Sequence, residues 1–115
     1  MAFDIFMKID DIKGESVDAT HPNEINVLSW SWAVNQTGTT HTGTGGGTGK
    51  ALVQDLVFTH SVDAATPNLI KMACAGKHFK NALLTVRKAG DTPLEYLKIK
   101  LHDVIITEEA PNYRS

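Results

Sequence analysis

The sequence contains a single cysteine, Cys74, and carries little excess charge of either sign. One cysteine excludes an intrachain disulfide, so packing alone must hold the fold, which suits assembly in a reducing cytoplasm. The formal net charge is only −2 at neutral pH. Such a balance provides no general attraction to phosphate backbones or anionic lipids, so nucleic acid is not an expected partner.

Long apolar runs are absent as well, so membrane insertion is not expected. The N-terminus carries Asp4 where a signal peptide would carry lysine or arginine, and no cleavable signal peptide is therefore expected. Of the 115 residues, 42% are hydrophobic and 21% are charged. These values are typical of an ordinary globular protein and predict a single domain over residues 1–115.

Alternation of apolar and polar side chains, the signature of a strand with one buried face, recurs along the chain. It predicts five strands, at residues 2–12, 25–34, 52–60, 79–88 and 94–107. One helix is predicted after residue 65, with Thr66 as N-cap, Pro67 at the first helical position and Gly76 as the terminating residue. The pattern indicates a mainly β fold, an antiparallel β-barrel or sandwich of two packed sheets with one short α-helix beside it.

The segment 37–50 consists almost entirely of glycine and threonine and ends in Lys50. Such a composition predicts a long, exposed loop with little surface to bury. A phosphate-binding loop is excluded, because Thr44 occupies a required glycine position and Ala51 replaces the serine or threonine that ligates magnesium. The spacing of the glycines also fails the dinucleotide fingerprint.

Histidine and cysteine show no catalytic or metal-binding spacing. The histidines at positions 21, 41, 60, 78 and 102 are interpreted as ordinary surface or loop residues. Cys74 lies in the apolar run of the helix and is predicted to be a small buried hydrophobe. We therefore expect no catalytic residue, no metal and no cofactor, and interpret the protein as structural rather than enzymatic. The competing possibility, a nucleophilic Cys74 with a histidine, would require a reactive thiol.

Trp30 and Trp32 fall on one face of the second predicted strand, together with Leu28. Their apolar neighbours favour a packed core or a subunit interface over an aromatic platform that stacks on sugars or bases. Ser29 and Ser31 fall on the opposite face. That thin polar surface faces either bulk water or a wide, water-filled lumen.

Several segments of the sequence resemble one known family throughout. The N-terminal part contributes Phe3-Asp4-Ile5-Phe6-Met7-Lys8-Ile9, Ile12-Lys13-Gly14-Glu15-Ser16, His21-Pro22-Asn23-Glu24-Ile25 and Ser29-Trp30-Ser31-Trp32. The rest contributes Gly49-Lys50, Gln54-Asp55-Leu56, Phe58-Thr59, Thr66-Pro67-Asn68-Leu69, Ala75-Gly76-Lys77-His78 and Leu84-Thr85-Val86-Arg87-Lys88-Ala89-Gly90. In this order they resemble haemolysin-coregulated protein, Hcp, the tube protein of the bacterial type VI secretion system.

The resemblance implies an Hcp-like fold that is shared with phage tail tubes, without enzymatic activity. It also implies homohexameric rings that assemble in the bacterial cytoplasm and stack into a hollow, exported tube. A contractile sheath, a spike protein and small effector proteins bound in the lumen are the implied partners. Members of the family usually continue past the strand that ends near Thr107. The resemblance therefore implies that the C-terminal strands of the family barrel are missing from this sequence.

Three sets of residues acquire expected roles from the resemblance. Ser29 and Ser31 would face the lumen and its effectors, and Trp30 and Trp32 would lie in the core or a subunit interface. The ring-stacking contacts would come from Thr39, Thr40, His41, Thr42, Gly43, Thr44, Gly45, Gly46, Gly47 and Thr48. The alternative function is a non-assembling β-sandwich adaptor, or a secreted effector that uses the same fold.

Overall fold

A computed structural model describes residues 3–36, 51–89 and 94–110. The expected stacking loop, residues 39–48, lies outside the described residues. The elements within the described residues are β1 (Phe3–Ile9), β2 (Ile25–Val27), β3 (Ser29–Ser31), β4 (Val34–Gln36), β5 (Ala51–Val53), β6 (Val57–Thr59), α1 (Thr66–Ala75), β7 (His78–Lys88) and β8 (Leu94–Ile105). All strand pairs are antiparallel, so the mainly β class with one short helix is confirmed.

The largest sheet has the order β2-β1-β7-β8, with β1 and β7 in its middle. Met7 pairs with both Ile25 and Leu84, and the three side chains are 2%, 0% and 0% exposed. Alternation along the strands places these apolar residues on one face of the sheet, where Leu69 of α1 joins their cluster. This contact docks the helix on the sheet and forms the core.

The remaining four strands form two short antiparallel pairs, β3-β6 and β4-β5, which we call the hairpin. Continuous strands over residues 25–34 and 52–60 are wrong. The first breaks at Leu28, where the chain passes from the four-stranded sheet to the hairpin, and both break where the two pairs of the hairpin are out of step. Ser31 pairs with Val57 and Val34 with Val53, so residues 32–33 face residues 54–56 of the other strand. Such an irregularity interrupts the ladder locally, as a β-bulge does.

The helix begins one residue earlier than predicted, so Pro67 is its second residue and not its first. Thr66 is the first helical residue, Ala65 occupies the N-cap position, and the hydroxyl of Thr66 accepts a hydrogen bond from the backbone N–H of Asp63. The prediction of Thr66 as N-cap is therefore wrong. The terminating residue is confirmed, since Gly76 has φ of 62° and its N–H donates to the carbonyl of Ala73.

Candidate interaction surfaces

The β3-β6 part of the hairpin has two faces of different chemistry. Ser29 and Ser31 are exposed, and the hydroxyl oxygens of Ser29 and Thr59 lie 2.6 Å apart. Trp30 and its partner Phe58 are half-buried and pack against the core. One face of the β3-β6 pair therefore carries short, hydroxyl-bearing side chains that are open to solvent.

Trp32 has a different environment from Trp30. The residue is 40% exposed, and its indole N–H donates to the backbone carbonyl of Gln54 across the irregularity in the hairpin. The two tryptophans, which were expected to share one environment, therefore lie in different ones. Trp30 contacts the core, and Trp32 lines the groove described in the next paragraph.

An apolar groove of about 920 Å³ lies between the hairpin and the end of β8. Buried Met7 and Leu69 line it, while Leu28, Val57 and Ile105 at its sides are 67%, 56% and 43% exposed. Contiguous apolar surface of this kind marks an interaction site on a soluble protein. Sequence reasoning missed the groove because its walls come from segments far apart in the chain.

The opposite face of the four-stranded sheet is covered by residues 13–24, which we call the strap. Phe6 and Thr85 are register partners on that face and are 4% and 0% exposed. Within the strap, the N–H of Ser16 donates to the carbonyl of Glu24 at 2.9 Å, and that of Asn23 to the carbonyl of Ser16 at 2.8 Å. These bonds replace a regular strand pairing and hold the strap in a defined path.

Arg87, on β7, fastens the strap to the four-stranded sheet. Its two terminal nitrogens donate to the two carboxylate oxygens of Asp18 at 2.9 and 2.6 Å, and one of them also donates to Asp4 at 3.1 Å. The guanidinium lies 5.0 Å from the centre of the Phe6 ring. Hydrogen bonds from Arg87, and then from Thr20, hold the pKa of Asp18 well below its usual range. Bidentate geometry of this kind is strong and directional.

His21 anchors the other end of the strap. Its Nδ1 lies 2.8 Å from a carboxylate oxygen of Glu24, its Nε2 lies 2.5 Å from one of Glu95, and its ring stacks on Phe6. Burial is the largest influence on the pKa of His21 and lowers it, but the hydrogen bonds to Glu95 and Glu24 together raise it above 6.5. The hydrogen bond from His21, followed by that from Lys98, lowers the pKa of Glu95.

Two expectations about single residues are corrected. His21 and His60 are not surface residues: both side chains are more than nine-tenths buried, His60 with its Nε2 3.3 Å from a carboxylate oxygen of Glu109. Cys74 is exposed rather than buried. It follows the core-facing Leu69 by five residues, which rotates it about 140° away from the core on a helix of 3.6 residues per turn.

Residues 3–36, 51–89 and 94–110 contain no cluster of three or more histidine, cysteine or acidic side chains that could hold a metal ion. Within the same residues, no helix is long and apolar enough to cross a membrane.

Comparison with known proteins identifies the family. The model of the family described as "Type VI secretion system effector, Hcp" matches residues 6–114. The chain belongs to the Hcp family. Protein hcp1 of Pseudomonas aeruginosa is 53% identical over 108 residues, which cover 93% of this chain and 67% of the relative.

Solved Hcp structures share the fold. A type VI secretion system effector from Yersinia pestis is 50% identical with a TM-score of 0.76, covering 91% of this chain and 69% of that one. Hcp1 from Salmonella typhimurium is 46% identical with a TM-score of 0.75, covering 94% and 67%. This Hcp chain therefore spans about two thirds of the length of these relatives. It is a type VI secretion tube protein, a structural class.

Proposed function

We propose that this Hcp chain is a subunit of the inner tube of a type VI secretion system, where homohexameric rings stack into a hollow, exported tube. The observation that carries the proposal is the exposed apolar surface beside the groove. Leu28, Val57 and Ile105 would be unfavourable in water at their present exposure, and coverage by protein would remove that cost.

The hydroxyl face of the hairpin is proposed as the lumen wall. Ser29, Ser31 and Thr59 present short polar side chains to solvent, while the reverse side of the same strands rests on the core through Trp30. A wall of this kind leaves room for a folded protein and offers it hydrogen-bonding groups. Small effector proteins are the proposed cargo of this face.

The remaining parts of the proposal rest on membership of the family. Residues 39–48 would mediate stacking between rings, and the tube would meet a spike protein at its tip and a contractile sheath around it. Assembly would take place in the bacterial cytoplasm, followed by export through the secretion system.

The mass in solution tests ring formation. Light scattering after size exclusion is expected to give a mass near six times the 12.5 kDa of the chain, with ring-shaped particles in negative stain. A ring needs a complementary interface that closes on itself, so the mass should be that of one closed species. A clean monomer over the accessible concentration range would contradict the proposal and favour the adaptor function.

The lumen assignment has its own test, with Ser31→Arg as the perturbation and Ser31→Ala as its matched control. The arginine introduces bulk and charge on the hydroxyl face, so retention of a small effector of the same system should fall by about tenfold or more. The alanine keeps the space and should retain most of the binding. If Ser31→Arg destroys the rings instead of the retention, Ser31 lies in an interface and not in the lumen.

A further inference from the structure

The strap is fastened by a histidine held between two carboxylates from different parts of the fold. Glu24 belongs to the strap itself, whereas Glu95 lies near the start of β8, 74 residues from His21 along the chain. Both nitrogens of the ring are engaged, Nδ1 by Glu24 and Nε2 by Glu95. The imidazole is thus the link between the strap and the edge strand of the sheet.

The number of protons on His21 decides how many of these bonds can form. An imidazolium carries two N–H groups and can donate to both carboxylates, whereas a neutral ring carries one and turns a lone pair toward the other. The second oxygen of Glu24 is buried and accepts no hydrogen bond from the described residues. Loss of the proton from His21 therefore removes the hydrogen bond from the ring to one of the two carboxylates.

Other charged groups around the ring do not replace the lost bond. Lys98 of β8 lies 3.1 Å from the second oxygen of Glu95, already pairs with that carboxylate, and has about half of its side chain exposed to solvent. Arg87 of β7 is occupied by Asp18 and Asp4, and Asp18 also accepts the backbone N–H of His21. Phe6 of β1, stacked on the ring, has no hydrogen-bonding group.

We propose that the strap is a pH-sensitive element: protonated His21 clamps residues 13–24 onto β8, and deprotonation of His21 as the pH rises loosens them. The raised pKa of the folded state agrees in sign. A histidine whose folded pKa exceeds its unfolded value contributes stability that is complete below the unfolded value and disappears as pH rises through the folded one. The strap should thus be tightest in mildly acidic solution and loosest above the folded pKa of His21.

Hydrogen exchange of single amides measures the clamp directly. The N–H groups of Gly14, Ser16 and Asn23 report on it, because all three donate to carbonyls within the strap. After correction for intrinsic rates, their protection should fall by about tenfold between about pH 6 and about pH 8.5, the effect of losing one charge-assisted hydrogen bond. Amides of the central strands β1 and β7 should show no comparable change.

Two substitutions and a control decide whether His21 causes the pH dependence. His21→Gln should abolish the pH dependence of strap protection, whereas His102→Gln should leave it intact, since His102 is exposed and its Nδ1 pairs with the side chain of Asn81, outside the strap. Glu95→Gln keeps a hydrogen-bonding partner but removes one charge. It should therefore lower the pKa of His21, followed by NMR of the ring, and move the loss of protection to lower pH.

The proposal is overturned if strap protection is unchanged across this range, or if its change persists in His21→Gln. Should His21→Gln fail to fold, the same decision falls to Glu95→Gln, because an unshifted transition in that variant contradicts the clamp.

Discussion

Replacing Leu69 with alanine tests whether α1 is stabilised by docking on the sheet. Leu69 is 1% exposed and belongs to the same apolar cluster as Met7, Ile25 and Leu84. An isolated ten-residue helix is marginal in water, so α1 needs this contact to persist. The substitution removes the anchor without altering the backbone.

The size of the effect follows from the position of the side chain. Leucine to alanine deletes about three buried carbon groups, or about 2.4 kcal/mol at 0.8 kcal/mol each. The additional penalty for a cavity should be small, because Leu69 borders the open groove and the space left behind is continuous with it. We expect the free energy of unfolding to fall by about 2–3 kcal/mol, near the lower end of the range for truncation of buried leucines, and the Tm to fall by about 10 °C.

Urea denaturation followed by far-ultraviolet circular dichroism measures this loss, with Ile70→Ala as the matched control. Ile70 is the next residue on the same helix and is 38% exposed, so its truncation should cost less than about 1 kcal/mol. The midpoint should fall for Leu69→Ala with an unchanged slope. Equal effects of the two substitutions would refute the docking of α1 through Leu69.

Two further substitutions probe the strap. Gly14→Ala should destabilise the protein by about 1–3 kcal/mol, because a Cβ at this position would overlap the backbone carbonyl of Glu24. Thermal unfolding measures this loss, with Lys13→Ala at the exposed neighbouring position as the control. Equal Tm values for the two variants would contradict the close approach of Gly14 to Glu24. Asp18→Asn should flatten the loss of stability that begins at about pH 4 and continues as the solution is acidified further. The depressed folded pKa of Asp18 contributes stability that is present above the unfolded value of 3.8 and is lost as pH falls through the folded value. Parallel acid-unfolding curves for Asp18→Asn and the unmodified chain would rule out its ion pair with Arg87 as the cause.

The local sequence pattern was enough to predict those elements whose side-chain alternation or cap is contained in a few consecutive residues. Strands β7 and β8 lie within two residues of their predicted bounds, and Gly76 ends the helix as expected. Both succeed because side-chain alternation and a left-handed C-cap are properties of a few consecutive residues. The order of family motifs along the chain likewise identified Hcp.

Prediction from the same local patterns failed wherever the structure of a segment depends on the segment that it packs against or pairs with. The break in the hairpin depends on the register between β3-β6 and β4-β5, which alternation within one strand does not specify. Cys74 was misassigned because the apolar run of α1 is wider than its buried stripe, and only the docking direction selects Leu69.

Fold class, the helix and family membership were therefore determined by the sequence itself, because each rests on short-range periodicity or on motifs read in order. The tertiary structure alone decided the apolar groove and the strap. His21 and Glu95 are 74 residues apart, and Arg87 and Asp18 are 69 apart, so no local pattern links them. These ion pairs form only when the antiparallel sheet brings β7 and β8 against the strap. Burial there makes each charged group depend on its partner for stabilisation.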